Sequence, residues 1–180
     1  YYPSFYDGAD VHKYIIPIQP KFHSQLFTDY TGRQTRLTEH SGEFIVEGNT
    51  IKKAYLTNSK ITTIQPGDII LFYRSKDRSE ITSLGVVESI HIRLTDPDEI
   101  MKAVGKRTVY SRYEIEEMAK KPTTVLLFYH ISHFPNPVSY QTLKDIDALS
   151  GPPQSICGVN ESSYREIIRR SGIDERFTVH

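Results

Sequence analysis

The pattern of apolar and polar residues along the chain predicts three strong β-strands. Residues 69–73 (IILFY) follow the turn QPGD, residues 81–94 (ITSLGVVESIHIRL) follow the charged turn RSKDRSE, and residues 123–132 (TTVLLFYHIS) are almost continuously apolar. Short apolar runs that are bounded by turn residues and rich in β-branched and aromatic side chains are typical of strands. The first two runs predict a β-hairpin, and Pro135 and Pro137 are expected to end the third strand.

Weaker patterns predict further elements around this centre. Residues 11–18 form a first strand, in which Pro17 marks an end or an edge, and residues 153–159 form a short one. Residues 28–41 are polar and form a loop or a weak hairpin. Residues 48–56 have apolar side chains at i, i+3 and i+4, which favours a short helix behind an N-terminal cap.

Capping residues delimit the predicted helices. Asp96 and Pro97 open a helix that Gly105 ends, and Ser111 with Glu114 fits a capping box. The remaining helical predictions are a last helix over 161–171, capped by Asn160 and ended by Gly172, and helical turns within 21–27 and 139–149. Strands outnumber helices, so we expect an α+β fold: a small, partly open β-barrel, mainly antiparallel, with short flanking helices.

Composition and charge narrow the class of protein. The 22 basic and 22 acidic residues among 180 cancel, which argues against a strongly basic surface that holds nucleic acid through its phosphates. The single cysteine suits a reducing compartment, and no apolar run approaches the roughly 20 residues that cross a bilayer. We therefore predict a cytoplasmic protein. The first residue is not Met, so we also expect residues 1–10 to be a linker or leader from a missing upstream domain, and residues 11–180 to be one domain.

The sequence contains no recognisable catalytic or metal-binding constellation. His130 and His133 are three residues apart on a predicted strand, which places them on opposite faces and disfavours zinc. Cys157 lies in an apolar strand and is interpreted as a small buried hydrophobe. No nucleophile elbow, phosphate-binding loop or metalloprotease motif is present, so we predict no enzymatic activity, no metal and no cofactor.

An ordered set of segments resembles a known family. The segment GDIILFYRS (67–75) is preceded by GNTIKKAYL and followed by SLGVVESI, and PVS (137–139) and PQSI (153–156) precede the last helix. This order resembles the EVE domain, a PUA-like fold that is close to the YTH readers of methylated adenine. The resemblance implies a PUA-like barrel that binds RNA or DNA by recognising one modified nucleobase. Arg74 stands where EVE domains commonly have His, and the absence of Trp leaves Tyr or Phe to form any aromatic cage.

A second resemblance concerns the start of the chain. The stretch YYPSFYDGADVHKYIIPI, continued by PKFHSQLF, is similar to the junction at which acetyltransferase-like proteins pass into a C-terminal PUA-like domain. It implies an alternative function, as the accessory C-terminal domain of an N-acetyltransferase-like enzyme that positions substrate or a partner. The chain itself has no glycine-rich pyrophosphate loop of the kind that binds acetyl-CoA.

A pocket that reads a base needs ring faces for stacking, fixed donors and acceptors, and cations for the flanking phosphates. The predicted nucleobase-binding residues are Asn49, Ser59, Tyr73, Arg74, Ser75, Tyr129, Gln154 and Ser155, and the predicted phosphate contacts are Lys21, Lys76 and Arg78. We expect the pocket between residues 72–75 and 154–155.

Several of these assignments have an alternative interpretation. Gln154 and Ser155 also suit ordinary strand packing. Tyr73 and Tyr129 also suit core positions with a hydroxyl at the rim, and Asn49 also suits a helix cap. Residues 74–78 also suit an ordinary solvated turn.

Overall fold

The three apolar runs form neighbouring strands of a six-stranded sheet. The computed structural model describes residues 4–27, 51–107 and 109–179. The strands in this part of the chain are β1 (Phe5–Tyr6), β2 (Lys13–Ile18), β3 (Lys52–Thr57), β4 (Ile69–Arg74), β5 (Glu80–Leu94), β6 (Thr123–Ser139), β7 (Cys157–Val159) and β8 (Thr178–Val179). The order across the sheet is β3-β6-β5-β4-β2-β7, and β1 pairs separately with β8.

Strand pairing follows the apolar pattern at the centre of the sheet. β4 and β5 form the predicted antiparallel hairpin, and every residue of β4 is buried. β2 runs parallel to β4 with Lys13 opposite Ile69, whereas the β2–β7 and β3–β6 pairs are antiparallel. The expected class, α+β and mainly antiparallel, is confirmed, and the sheet is open instead of closing into a barrel.

Five helices flank the strands in the described residues. They are α1 (Pro20–Leu26), α2 (Pro97–Val104), α3 (Arg112–Ala119), α4 (Tyr140–Asp145) and α5 (Glu161–Ser171), with 3-10 turns at Gly105–Arg107 and Glu175–Phe177. The predicted caps of α2, α3 and α5 are all formed, and at α3 both halves of the capping box are present. Gly172 ends α5 with a φ of +77°, and a Cβ there would lie 2.7 Å from the side chain of Asn136. The positive φ favours glycine at this position, and a Cβ there would also require the Asn136 side chain to shift.

The helix predicted over 48–56 is wrong for the part that the structure describes. Lys52–Thr57 is strand β3, paired along its whole length with β6. Its burial alternates only partly, because Lys53 and Ala54 are both buried. The spacing of three apolar residues favoured a helix locally, but pairing with the apolar strand β6 decides the conformation.

The prolines do not end β6. The strand continues through Pro135 and Pro137 to Ser139, and residues 135–137 are all exposed. A proline keeps an extended backbone at a position where its missing N–H is not needed for pairing. At the other end of the sheet the predicted strand over 153–159 is shorter than expected, since only Cys157–Val159 pairs with β2.

The two histidines of β6 also differ from the prediction. The ring centroids of His130 and His133 lie 4.4 Å apart, so the side chains are in contact and do not point to opposite faces. Nδ1 of His133 is 2.8 Å from Oγ of Ser83, which is fully buried. Within the described ranges no three His, Cys, Asp or Glu side chains come together as a metal site.

Contacts divide the chain into two units, each formed by separate stretches of sequence. Unit 1 comprises Tyr1–Pro20, Pro66–Val87 and His130–His180, and unit 2 comprises Lys21–Gln65 and Glu88–Tyr129. The apolar core of unit 2 joins side chains of β3 and β6 to those of α2 and α3. Within the expected leader 1–10, β1 pairs with β8; the division into a leader and one domain stays a prediction. No helix among the described residues is long and apolar enough to cross a membrane.

Candidate functional site

Three neighbouring strands of unit 2 place a lysine, a tyrosine and a glutamate side by side. Lys52 on β3 lies directly opposite Tyr129 on β6, and Glu88 belongs to the next strand, β5. The hydroxyl of Tyr129 donates to Oε1 of Glu88 at 3.2 Å. Nζ of Lys52 lies 3.7 Å from the same oxygen and 5.4 Å from the centroid of the tyrosine ring. An aromatic ring is thus bordered by an anion at its hydroxyl end and covered by a cation on one face.

Arg107 completes this group, which we call the Tyr129 cluster (Lys52, Glu88, Arg107 and Tyr129). Gly105 ends α2 with a φ of +57°, and the following 3-10 turn carries Arg107, whose guanidinium donates to Oε2 of Glu88. Both carboxylate oxygens of Glu88 therefore have donors.

The charges of the Tyr129 cluster determine the protonation state of the Glu88 carboxylate. Partial burial raises the pKa of Glu88, but the bond and charge of Arg107, the hydroxyl of Tyr129 and the charge of Lys52 together bring it below its usual value. Glu88 is accordingly ionised at neutral pH, and the two cations leave the cluster with one net positive charge.

The Tyr129 cluster is accessible to a ligand. The side chain of Lys52 is 51% exposed, and those of Arg107 and Glu88 are 28% and 25% exposed. Tyr129 itself is half-buried. The cluster combines a ring face, two cationic donors and an acceptor-only carboxylate at one place on a sheet.

Five of the predicted site residues come together instead in the β4–β5 hairpin of unit 1. Tyr73 is only 3% exposed, its pKa is raised by burial, and it shares a hydrogen bond with Ser79. Arg74 is also buried and its guanidinium binds the carboxylate of Asp77 at 2.9 and 2.6 Å. Both the amide and the hydroxyl of Ser75 donate to the carbonyl of Ile18, at 3.0 and 3.1 Å.

The last two residues of this group, Lys76 and Arg78, are exposed in the turn. Lys76 has a φ of +69°. In this conformation the hairpin presents cations to solvent, and its tyrosine ring faces the interior.

The other predicted residues are dispersed. The hydroxyl of Ser59 accepts from the amide of Ile61 at 3.3 Å, and Lys21 is ion-paired with Glu114 at 2.6 Å. Gln154 and Ser155 are exposed in the loop before β7. Asn49 lies outside the described residues. A pocket between residues 72–75 and 154–155 stays a prediction.

Unit 1 contains an open pocket of about 350 Å³ where β2 meets β7 and the start of α5. Its lining includes His12, Lys13, Tyr14, Asn160 and Glu161, and none of the predicted base-binding residues. Nζ of Lys13 is held by Glu161 at 2.6 Å. The lysine of this pocket is therefore already neutralised by a neighbour.

Sequence reasoning missed three of the four residues of the Tyr129 cluster. Lys52 falls in the predicted helix 48–56, and that prediction does not allow for its pairing with Tyr129. Glu88 directly follows the apolar segment GVV of β5. An acidic residue within an apolar strand is a sequence feature that could have indicated a functional position. No sequence feature indicates Arg107 as a site residue, because only the turn after α2 brings it to the sheet.

Comparison with known proteins identifies the fold. No family model matches the sequence, and no curated protein matches it. A single-residue variant of ZmASCH from Zymomonas mobilis superposes with a TM-score of 0.65 at 14% identity, over 87% of this chain and 96% of that chain. The chain shares the fold of this ASCH protein, which is consistent with the expected PUA-like fold.

Other solved structures agree with this PUA-like fold. Unsubstituted ASCH from Z. mobilis gives a TM-score of 0.62 at 16% identity, over 87% of this chain and 94% of that chain. A hypothetical protein from Leishmania major gives 0.55 at 14% identity, over 89% and 94% of the two chains. At these identities the likeness concerns the fold alone. The comparisons give no support to the expected association with an acetyltransferase.

Proposed function

We propose that this PUA-like chain is a non-catalytic module that binds RNA or DNA by holding one nucleobase. The observation that carries the proposal is the Tyr129 cluster, in which an accessible tyrosine ring on a sheet is covered by Lys52 and bonded through its hydroxyl to Glu88, which Arg107 also binds. Sheet-borne aromatic rings that stack on unpaired bases are a recurring means of binding single-stranded nucleic acid.

Lys52 has two roles in this proposal, one in the free protein and one in the complex. Its ammonium occupies the face on which a base would stack, so binding requires it to move aside. An ammonium on a long flexible side chain can move from the ring to a phosphate of the incoming strand. The stacked base then replaces the cation–π contact, and Lys52 neutralises the backbone beside it.

The sequence resemblance supports a modified base as the target. The segment at residues 67–75 resembles the EVE domain, whose PUA-like relatives include readers of methylated bases. In this proposal Tyr129 supplies the aromatic wall, since the chain has no Trp. The alternative, an accessory domain of an N-acetyltransferase-like enzyme, rests on the resemblance of the N-terminal stretch alone.

Fluorescence polarisation with labelled single-stranded RNA and DNA 10-mers at low salt tests the proposal. We expect Tyr129→Ala to weaken binding roughly 5- to 150-fold, because stacking on one aromatic ring contributes about 1–3 kcal/mol. The matched control is Tyr113→Ala, which removes a tyrosine that is also in unit 2, is 69% exposed and lies outside the cluster. It should leave affinity unchanged.

Two outcomes contradict the proposal in different ways. Failure of the wild-type chain to bind any probe, modified or unmodified, rejects nucleic-acid binding. If instead Gln154→Ala weakens binding and Tyr129→Ala does not, the site lies near the loop before β7 and not at the Tyr129 cluster.

A further inference from the structure

We infer that the Tyr129 cluster selects bases that carry an exocyclic amino group, and that Glu88 is the residue that determines this preference. The inference rests on the proposed function, since it concerns the base that stacks on Tyr129. Its basis is the position and chemistry of one carboxylate. An ionised carboxylate only accepts hydrogen bonds, and in this cluster it is held at the hydroxyl end of the ring on which the base would lie.

The position of Glu88 is fixed from two sides. The hydroxyl of Tyr129 donates to Oε1 at 3.2 Å, and the guanidinium of Arg107 donates to Oε2. Each oxygen of a carboxylate has two lone pairs, so Oε1 retains capacity for a further donor. A side chain that is oriented by two neighbours and then accepts one more bond is suited to specific recognition.

The chemistry of the base edge then decides the preference. Cytosine projects an N4 amine, and adenine an N6 amine, and carboxylates accept from such amines. Uracil projects a carbonyl oxygen at the position of the cytosine amine, and an oxygen placed against an anion is repelled. Cytosine and uracil have the same ring size, so a difference between them reports the contact at this edge and not the stacking area.

Glu88 also prevents a purely electrostatic mode of binding. Lys52 and Arg107 alone would attract any phosphate, and the carboxylate between them lowers the positive charge of the site. Binding is expected to depend on the base because the charge that remains is small.

The test measures polarisation with RNA 10-mers that contain a single cytosine or a single uracil in an otherwise abasic strand. We expect the wild-type chain to prefer cytosine by about tenfold, as one charge-assisted hydrogen bond corresponds to about that factor. Glu88→Gln should bring the ratio close to one, because an amide both accepts from an amine and donates to a carbonyl.

A chemical variant of the RNA makes the test independent of how the protein variant folds. N4-Methylcytosine keeps one amine hydrogen and should bind like cytosine, whereas N4,N4-dimethylcytosine has none and should bind like uracil. Equal affinity of the wild-type chain for cytosine and its dimethylated form overturns the inference.

The two proposals fail in distinguishable ways. If cytosine and uracil bind equally and Tyr129→Ala weakens both, the proposed function stands and the selectivity is wrong. If no strand binds, the proposed function is wrong as well.

Discussion

Lys13 is a buried cation that depends on its two hydrogen-bond acceptors more than they depend on it. Its side chain is 2% exposed, and Nζ donates to Oε2 of Glu161 at 2.6 Å and to the carbonyl of Gly8 at 2.7 Å. Glu161 is 37% exposed and also binds Arg165 at 2.7 Å, and the Gly8 carbonyl accepts in addition from the amide of Val11 at 3.2 Å. Glu161 and Gly8 thus keep a partner without Lys13, whereas Lys13 needs the charge of Glu161.

This asymmetry predicts unequal effects of removing either partner. Glu161→Ala should lower the free energy of unfolding by about 3 kcal/mol, because it leaves a buried ammonium without its hydrogen-bonded counter-charge. Lys13→Met should lower it by only about 1 kcal/mol, because it removes the buried charge and fills the same space. Urea unfolding at pH 7 measures both.

Glu166 provides the control on the same helix. It binds Arg169 and Arg170 at the surface, so Glu166→Ala should leave the free energy of unfolding nearly unchanged. A greater loss for Lys13→Met than for Glu161→Ala would contradict the asymmetry.

At the level of single residues the sequence located part of the candidate site. Tyr129 is predicted as a site residue because it lies near the end of the apolar run 123–132. In the structure β6 continues to Ser139, and Tyr129 is half-buried with its hydroxyl bonded. Tyr73 was predicted for the same reason and is buried, so the end of an apolar strand does not by itself distinguish a rim from a core position. Pairing across strands decides this, and pairing partners are distant in sequence.

The capped helices α2, α3 and α5 were predicted most accurately, because their capping signals are local. At α3 the hydroxyl of Ser111 accepts from the amide of Glu114 at 3.1 Å, and the Glu114 carboxylate accepts from the amide of Ser111 at 2.8 Å. Lys21 binds that carboxylate as well. Both amide groups find their acceptors within four residues, so the sequence alone is enough to predict these bonds.

The capping box predicts a measurable contribution to stability. Ser111→Ala should lower the free energy of unfolding by about 1 kcal/mol, since it leaves the amide of Glu114 without its acceptor at the first turn of α3. Thermal unfolding monitored by circular dichroism measures the change. Ser150→Ala, at an exposed loop position, serves as control and should have an effect near zero. Equal melting temperatures of the two variants would contradict the prediction.

Strands were predicted less accurately, because their limits depend on partners. The sequence predicts a helix where β3 lies, and β6 extends seven residues beyond the predicted end at Ser132. In both places a local rule, either apolar spacing or the effect of proline, was outweighed by contacts within the folded sheet. The β4–β5 hairpin was predicted correctly, because its strands are adjacent in sequence and share one turn.

The charge of the whole molecule limits how it binds nucleic acid. The formal net charge is zero, the proposed phosphate contact comes from Lys52, and Arg107 is the second cation of the cluster. For single strands the logarithm of the association constant falls by about 0.7 per phosphate contact for each unit increase in the logarithm of salt concentration. Binding should therefore be modest in strength and only weakly dependent on salt.

The salt dependence gives a quantitative prediction. Between 50 and 300 mM salt we expect a slope between roughly −0.7 and −1.4, and Lys52→Met should reduce its magnitude by about 0.7. Lys120→Met, which removes an exposed lysine at the C-terminal cap of α3 and outside the cluster, should leave the slope unchanged. Polarisation titrations at several salt concentrations provide the measurement, and a slope steeper than about −4 would indicate a broad phosphate-binding surface instead.

The sequence by itself determined the α+β class, the hairpin at the centre and the capped helices, because each depends on neighbours within a few residues. Only the tertiary structure decided that residues 52–57 are a strand, that β2 lies parallel to β4, and that Lys52, Glu88 and Arg107 meet at Tyr129. These features depend on pairs of segments separated by tens of residues. Apolar spacing shows that a segment is buried but not what covers it, and at the Tyr129 cluster the pairing of strands determines which charges come together.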